Sequence, residues 1–326
     1  MNLLDLANIS QGTLRGESSN VESFSIDTRT IKPKEVYIAL KGENFDGHLF
    51  ITEAIKKGAS AIVLDRQVEC NIPNIIVDDS YKFMNHVAVH NRNYFKGKMV
   101  GITGTNGKTT TKQIIANLLN SQGSCHQTIG NKNNQIGVPY SLLTLGNNHD
   151  YSVIEMGTSE PGEIKKLNTL VKPDIAAITN VSIGHLDGLR DTESIAIEKG
   201  NILNFWNEDG TAILPRDSNF YEYWSNETNA KQIISFGIHD DSDFKVSSIK
   251  IDVLNNLTHF RLRFDGKEEN FSINGIGKHN PLNAALAIAV SILCGVETNS
   301  IKNNLTNTKL PERRLDVSKS LKGSIL

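Results

Sequence analysis

Met99-Val100-Gly101-Ile102-Thr103-Gly104-Thr105-Asn106-Gly107-Lys108-Thr109-Thr110 is the stretch on which the reading of this chain turns. The apolar run Met99 to Thr103 predicts a buried strand, and Lys108 to Leu119 predicts a helix. Between them lies a GxxGK[ST] core in the strand-to-helix context that a phosphate-binding loop requires. Its glycines let backbone N–H groups turn inward, the helix N-terminus adds the positive end of its dipole, and Lys108 supplies a mobile point charge. Gly104, Thr105, Asn106, Gly107, Lys108, Thr109 and Thr110 are therefore candidate nucleotide-binding residues, with the Thr109 hydroxyl offered to Mg²⁺. The stricter pattern places a glycine six residues before the lysine, where this chain has Ile102. The competing reading is a glycine-rich turn that binds nothing.

Downstream the strand–helix rhythm continues. Tyr151 to Glu155 reads as a strand, Ile164 to Leu170 as a helix and Ile175 to Thr179 as a strand, a spacing that implies a mostly parallel, doubly wound sheet with its ligands at the C-terminal strand ends. Thr211 to Ile276 is richer in strands, among them Ile233 to Gly237 and Phe260 to Phe264. A helix then runs from Asn280 to about Cys294, with Asn280 as N-cap, Pro281 at the first helical position and Gly295 closing it. Upstream, Val36 to Leu40, Ala61 to Leu64 and Ile75 to Val77 read as short buried strands and Phe50 to Lys57 as a helix stopped by Gly58. The fold class expected is α/β: a small N-terminal α/β domain over residues 1–96, then a P-loop-type, mostly parallel doubly wound central domain over 97–312. Residues 313–326 look like the start of a further strand and domain.

The chain has 326 residues with 34 Lys+Arg against 36 Asp+Glu, a formal charge of −2. That balance lacks the basic footprint of a dedicated nucleic-acid binder. The length suits about two domains, each able to bury its own core. The 3 cysteines form no CxxC pair, so neither a zinc knuckle nor a disulfide framework is suggested, and a reducing cytoplasm is expected. The N-terminus has no basic n-region, and the longest apolar stretch, Ala284 to Cys294, is too short to span a bilayer, so neither secretion nor membrane insertion is expected.

Two more strand ends carry polar residues toward the predicted nucleotide. Glu155 stands at a strand tip, where one carboxylate with phosphates and waters suits Mg²⁺. Ile178-Thr179-Asn180 leads to Gly184-His185-Leu186-Asp187, in which His185 is either a site residue or a loop histidine in a local hydrogen bond. Lys199 lies on a predicted helix from Thr192 to Leu203 and shares a face with Ile195, Ile202 and Leu203. Snorkelling is the ordinary reading of such a lysine. The other is a desolvated amine of lowered pKa, able to take up CO₂ as a carbamate and so become an anion.

Taken together, Thr103 to Thr110, Glu155-Met-Gly157, Asn180 to Asp187, Lys199 and His279-Asn280-Pro-Leu-Asn283-Ala-Ala285 resemble the Mur ligase family in order and spacing across some two hundred residues. Gly130-Asn131-Lys-Asn133-Asn134-Gln-Ile-Gly137-Val-Pro139 and the N-terminal Ile26-Asp27-Thr28-Arg29 with Gly42 to His48 extend the resemblance. It implies ATP and Mg²⁺ as cofactors, a cytoplasmic monomer, and ATP-dependent joining of D-alanyl-D-alanine to UDP-N-acetylmuramoyl-tripeptide through an acyl phosphate, in peptidoglycan biosynthesis. By the same resemblance, Lys108, Lys199 and His185 are catalytic, and Thr109, Glu155, His185 and a carbamylated Lys199 hold metal. Asn280, Asn283 and Arg314 lie at the nucleotide. Thr28, Arg29, Asn44, Phe45, Asp46, Gly47 and His48 bind the uridine-diphosphate end of the substrate, and Asn131 and Asn134 face its muramoyl-peptide part. A polar turn is the plain alternative for residues 44–48, and helix capping for Asn280. The family's third domain would begin where this chain stops, so an N-terminal fragment with little turnover is expected. Three rivals remain at this stage: a third-residue-adding Mur-type ligase, a folylpolyglutamate synthase-like ligase, and a non-catalytic nucleotide-binding module.

Overall fold

A computed structural model of the chain describes residues 1–182 and 191–310. It divides into two compact units, residues 1–95 with 139–146, and residues 96–138 with the chain from 147 onward. The first unit thus takes in a short segment from beyond residue 96, which the sequence pattern places in the central domain.

In the first unit the chain runs through α1 (Leu3–Ser10), β1 (Thr13–Arg15), β2 (Phe24–Ser25), β3 (Val36–Ile38), α2 (Ile51–Lys56), β4 (Ala61–Leu64), β5 (Asn74–Ile76) and α3 (Ser80–Tyr94). The strands form one sheet in the order β1-β5-β4-β3-β2, parallel except for β1. Strands β3 and β4 are buried along their length, as their unbroken apolar runs require. One face of the sheet packs on α1 and α3 through Leu3, Leu6, Phe83, Met84 and Val87. The other packs on α2 through Ile51 and Ala54. Helix α3 is anchored to the returning segment by Asn91, whose Nδ2 donates to the carbonyls of Leu142 at 3.0 Å and Leu143 at 2.8 Å.

The second unit begins with β6 (Lys98–Thr103) and α4 (Lys108–Leu119), followed by β7 (Cys125–Gln127), α5 (Gly137–Leu142, whose last residues belong to the first unit), β8 (Tyr151–Glu155), α6 (Glu163–Val171), β9 (Ile175–Ile178), α7 (Thr192–Gly200), β10 (Thr211–Pro215), α8 (Tyr221–Glu227), β11 (Gln232–Gly237), β12 (Phe244–Asp252), β13 (Leu257–Phe264), β14 (Lys267–Asn274), α9 (Asn280–Leu293) and α10 (Thr298–Asn307). Among the described residues its sheet has 9 strands in the order β14-β13-β12-β11-β10-β9-β6-β8-β7. It is parallel from β7 to β12 and antiparallel beyond. Helices α4 and α9 cover one face, where Ile114, Ile115, Leu118, Leu286 and Val290 are fully buried in one core. The path leaves β6 toward β8 on one side and β9 on the other, so the strand order reverses around β6. Ligands of such sheets bind at that switch point.

Helix α9 corrects the capping expected for Asn280: His279 is the N-cap, and Asn280 and Pro281 open the helix itself. A helical first residue has no need to cap, so the buried Asn280 side chain answers to its surroundings rather than to the helix end. Helices α1 and α3 went unread in the sequence. Among the described residues no helix is long and apolar enough to cross a membrane.

Replacing Asn91 by Ala leaves two buried carbonyls without a donor. It is expected to lower the stability of the first unit by roughly 1–3 kcal/mol, read as a shift in urea midpoint at constant slope.

Candidate nucleotide-binding site

Three strand ends meet at the switch point. In register, Ile102 on β6 pairs with Glu155 on β8, and Thr103 pairs with Ile178 on β9. The loop after β6 therefore emerges between the Glu155 carboxylate and the segment Thr179-Asn180. Gly104 has φ +147°, and a Cβ there would lie 1.8 Å from Thr179 Oγ1. Only glycine allows that approach. Thr179 Oγ1 donates to the Asn106 carbonyl at 2.6 Å, Thr105 N–H donates to the Asn180 carbonyl at 2.9 Å, and Asn106 N–H donates to Asn180 Oδ1 at 3.0 Å. Asn106 Nδ2 reaches Ser182 Oγ at 3.1 Å. The segment after β9 thus braces the loop from one side.

Gly107, at φ +81°, is the N-cap of α4 and offers no side-chain cap, so no capping side chain covers the end of the helix, where the dipole favours an anion. Asn283 lies against it: a Cβ on Gly107 would come within 2.5 Å of Asn283 Oδ1. The start of α9 is thereby placed beside the loop, as its sequence position alone does not reveal. Lys108 folds back, its Nζ donating to the carbonyls of Gly104 at 2.8 Å and Thr105 at 3.0 Å. Its ammonium sits over the loop that it would share with a phosphate.

Glu155 is 1% exposed. Its Oε1 accepts from Thr109 Oγ1 at 3.1 Å and from Asn133 Nδ2 at 2.7 Å, and its N–H donates to Thr128 Oγ1 at 2.8 Å. Its Oε2 is buried and accepts no hydrogen bond among the described residues. Glu155 thus presents a buried carboxylate whose Oε1 lies beside the Thr109 hydroxyl and whose Oε2 faces the Lys112 ammonium at 3.7 Å, and carboxylate and hydroxyl oxygens are the donor types that suit a hard cation such as Mg²⁺.

Lys199, 5% exposed, does not snorkel. Helix α7 buries it beside Ile195, with Ile202 and Leu203 following in a short 3₁₀ turn. Among the described residues its ammonium has no hydrogen-bond or ion-pair partner. Burial first, and then the Lys108 charge, push its pKa down to about 8, against a smaller opposing pull from Glu198. At pH 7 roughly a tenth of such an amine is neutral and nucleophilic. Glu198 is equally buried, but its carboxylate caps α6, accepting from Gly162 N–H and Ile164 N–H at 2.7 Å each.

At the C-terminal ends of β9, β10 and β11, a cleft of about 340 Å³ is lined by Asn180, Thr192, Asn219, Phe220, Phe236 and Leu282 among others. Its mix of aromatic, aliphatic and amide groups is that of a small-molecule site.

The loop from Gly130 to Gly137 places its asparagines differently. Asn134 Oδ1 accepts from Ile136 N–H at 3.2 Å and Gly137 N–H at 2.9 Å and so caps α5, whereas Asn133, quoted in the motif but given no role beside the metal seat, grips Glu155. Asn131 is exposed on the same loop. Lys112 was also missed. It lies one turn beyond Lys108, buried under Glu155, and the signal was available: Ile115, Ala116 and Leu119 continue its helical face, and all three are buried. His185 and Arg314 lie outside the described residues.

The remaining candidates sit in the first unit. Gly47 N–H donates to the Leu40 carbonyl at 2.7 Å, where a side chain would collide with that backbone. His48 is buried, its Nδ1 2.8 Å from Asp46 Oδ1 and its Nε2 3.1 Å from Asp65 Oδ1. Arg66 pairs with Asp46 at 2.6 Å and holds its carboxyl well below the usual carboxylate range. Asp46 and His48 therefore shape the turn, while Phe45, stacked on Phe50, and Asn44 are left exposed. Thr28 is buried and Arg29 is exposed beside Asp27. A cleft of about 500 Å³ opens between Lys41-Gly42-Glu43, Asp65 and Asp79-Ser80-Tyr81.

Comparison with known proteins matches residues 102–291 to the Mur ligase middle domain and residues 20–96 to the Mur ligase family catalytic domain. The UDP-N-acetylmuramoyl-tripeptide–D-alanyl-D-alanine ligase of Buchnera aphidicola is 34% identical over 318 residues, covering 97% of this chain and 70% of its own length. Among solved structures, MurF from Acinetobacter baumannii superposes with a TM-score of 0.86 at 27% identity, over 98% of this chain and 70% of that one. MurF ligase from Thermotoga maritima in complex with ADP gives 0.77 at 28% identity, over 92% and 69%.

Gly104→Ala is expected to abolish detectable ADP binding in a calorimetric titration while the far-ultraviolet circular dichroism stays unchanged. The added methyl displaces only the loop from Thr179.

Proposed function

We infer the reaction from one premise: this chain belongs to the Mur ligase family. The function its geometry supports best is that of a UDP-N-acetylmuramoyl-tripeptide–D-alanyl-D-alanine ligase, in which ATP activates the tripeptide carboxylate and the dipeptide amine displaces phosphate. One observation carries this reading. The open N-terminus of α4, Lys108, and the Thr109–Glu155 pair converge at the switch point of the sheet, where a nucleotide triphosphate needs a cradle, a cation and a metal seat. Relatives of this chain carry the ligase name, and one related MurF was solved with ADP.

In the proposed reaction the loop amides from Gly104 to Lys108 bind the β- and γ-phosphates, and Lys108 swings from its own loop carbonyls onto phosphate oxygens. The cleft beside Asn180 and Leu282 takes the nucleoside, and Asn283, against Gly107, and Asn280 are assigned to the nucleotide with it. Thr109 and Glu155 would hold Mg²⁺, which neutralises charge as the carboxylate approaches the γ-phosphoryl group. Two anions have to meet in that step, and Lys108 lowers the barrier by spreading the charge of the transferring phosphoryl oxygens. The acyl phosphate then loses phosphate to the attacking amine. Lys199, its amine partly neutral, takes up CO₂ with loss of a proton, and the resulting carbamate supplies a second anion beside Lys108, for metal binding together with His185. Arg314 is assigned to the nucleotide. In the first unit, Thr28, Arg29 and the Asn44 to His48 turn are proposed to hold the uridine-diphosphate end; in the second, Asn131 and Asn134 are proposed to face the muramoyl-peptide part. Residues 1–96 and 97–312 are the working domains, and a cytoplasmic, monomeric protein is proposed.

Whatever phosphate release from ATP this chain sustains is expected to require both UDP-N-acetylmuramoyl-tripeptide and D-alanyl-D-alanine, measured with each omitted in turn. Release that depends on a folate would favour the folylpolyglutamate-type ligase instead. Lys199→Ala is expected to lose at least tenfold in rate and to recover with short carboxylic acids. A fully active Lys199→Arg would remove the carbamate from the scheme.

A further inference from the structure

Lys112 has no part in the chemistry above, yet it lies at the centre of the site. It is 2% exposed, on the face of α4 that carries Ile115 and Leu119 into the core. Its Nζ donates to the Thr128 carbonyl at 2.9 Å and to the Gly130 carbonyl, and it stands 3.7 Å from Glu155 Oε2. An ammonium has three donors. Two are committed to carbonyls of the segment after β7, and the charge faces a carboxylate that is itself only 1% exposed. Each ion is the buried partner of the other, and removing one leaves the other uncompensated. Burial lowers the Lys112 pKa and Glu155 opposes that shift, as expected of such a pair.

The same carboxylate is held from its other oxygen by Thr109, on α4, and by Asn133, on the loop whose backbone begins at Gly130. Asn133 is in turn pinned through its carbonyl, which accepts from Gly157 N–H at 2.8 Å. Four segments therefore meet on one ion pair: the helix of the phosphate loop, the end of β7, the asparagine loop and the turn after Glu155.

We propose that Lys112 is a positioning residue for the metal site: it fixes the Glu155 carboxylate against Thr109 and locks the Thr128 to Asn133 segment to it, so that the metal seat and the asparagine loop form one rigid piece. Stopping at 3.7 Å, the ammonium leaves Oε2 uncommitted rather than consuming it in a hydrogen bond. The proposal rests on the nucleotide–metal reading above and adds to it a residue that touches neither nucleotide nor substrate.

The test titrates ADP into the chain with and without Mn²⁺ and follows thermal unfolding, for the parent, Lys112→Met, Glu155→Gln and the double variant. Lys112→Met is expected to lose tenfold or more of the Mn²⁺-dependent gain in ADP affinity, with metal-free ADP affinity changed less than twofold. The double variant should bind no worse than Glu155→Gln alone and melt above Lys112→Met, because the lone buried charge is gone. Lys112→Gln keeps a donor for the carbonyls without the charge; it should lose the same gain, and it supplies the result if the methionine variant does not fold. A Lys112 variant that keeps the full Mn²⁺-dependent gain would overturn the assignment, as would a melting loss from Lys112→Met that is equal in the parent and in the Glu155→Gln background. A parent chain that binds neither ADP nor Mn²⁺ would instead overturn the functional reading on which it rests.

Discussion

The close approach of Gly104 to Thr179 governs the architecture of the nucleotide end. A missing side chain lets the backbone after β6 pass directly over the hydroxyl that follows β9, and the Thr179 and Asn180 contacts then hold the loop open. With the loop so held, α4 starts without a capping side chain, and Gly107 leaves room for Asn283. Nothing in the helix itself would direct it there. The direction comes from β6 lying between two parallel neighbours, where consecutive crossovers depart to opposite sides and a crevice remains.

Buried charge is concentrated at this end of the sheet, and each charge is accommodated by a different device. Glu198 spends both oxygens on the first N–H groups of α6, where the helix dipole also favours an anion. Lys112 and Glu155 compensate each other. Lys199 has no such partner among the described residues, and its burial beside Lys108 is relieved by a lower pKa rather than by a contact. Burial is therefore informative about chemistry here and not only about packing, since groups with shifted pKa values concentrate at functional sites.

In the first unit the motif Asp46-Gly47-His48 works mainly on its own backbone. Asp46 accepts from His48 N–H at 3.0 Å, Gly47 fits under Leu40, and the His48 ring is clamped between two carboxylates from separate loops. The polar turn that sequence patterning could equally read as ordinary is thus a rigid ledge. Its rigidity leaves exposed Asn44 and Phe45 as the groups it presents, and the adjoining cleft runs beneath Glu43 and Asp65.

The sequence by itself determined the parallel α/β character, the strand–loop–helix at Met99 to Leu119, and the polar strand end at Glu155, because each is a local pattern of apolar runs and glycine spacing. It also carried the family, whose motifs are spread along the chain in a readable order. It determined less where a residue's role depends on what lies across space. Asn280 reads as a helix cap and Asn134 as a residue of a substrate-facing loop, yet Asn280 lies inside its helix and Asn134 caps one. Lys112 has no motif of its own, and Asn133 is one asparagine among several in its motif; both gain significance because β8 brings Glu155 to them. Lys199 reads as a snorkelling side chain until the helix places it under cover. The physical reason is the same in each case: periodicity reports which face of an element is apolar, but the desolvation and pairing of an ionisable group are set by the neighbours that tertiary packing supplies.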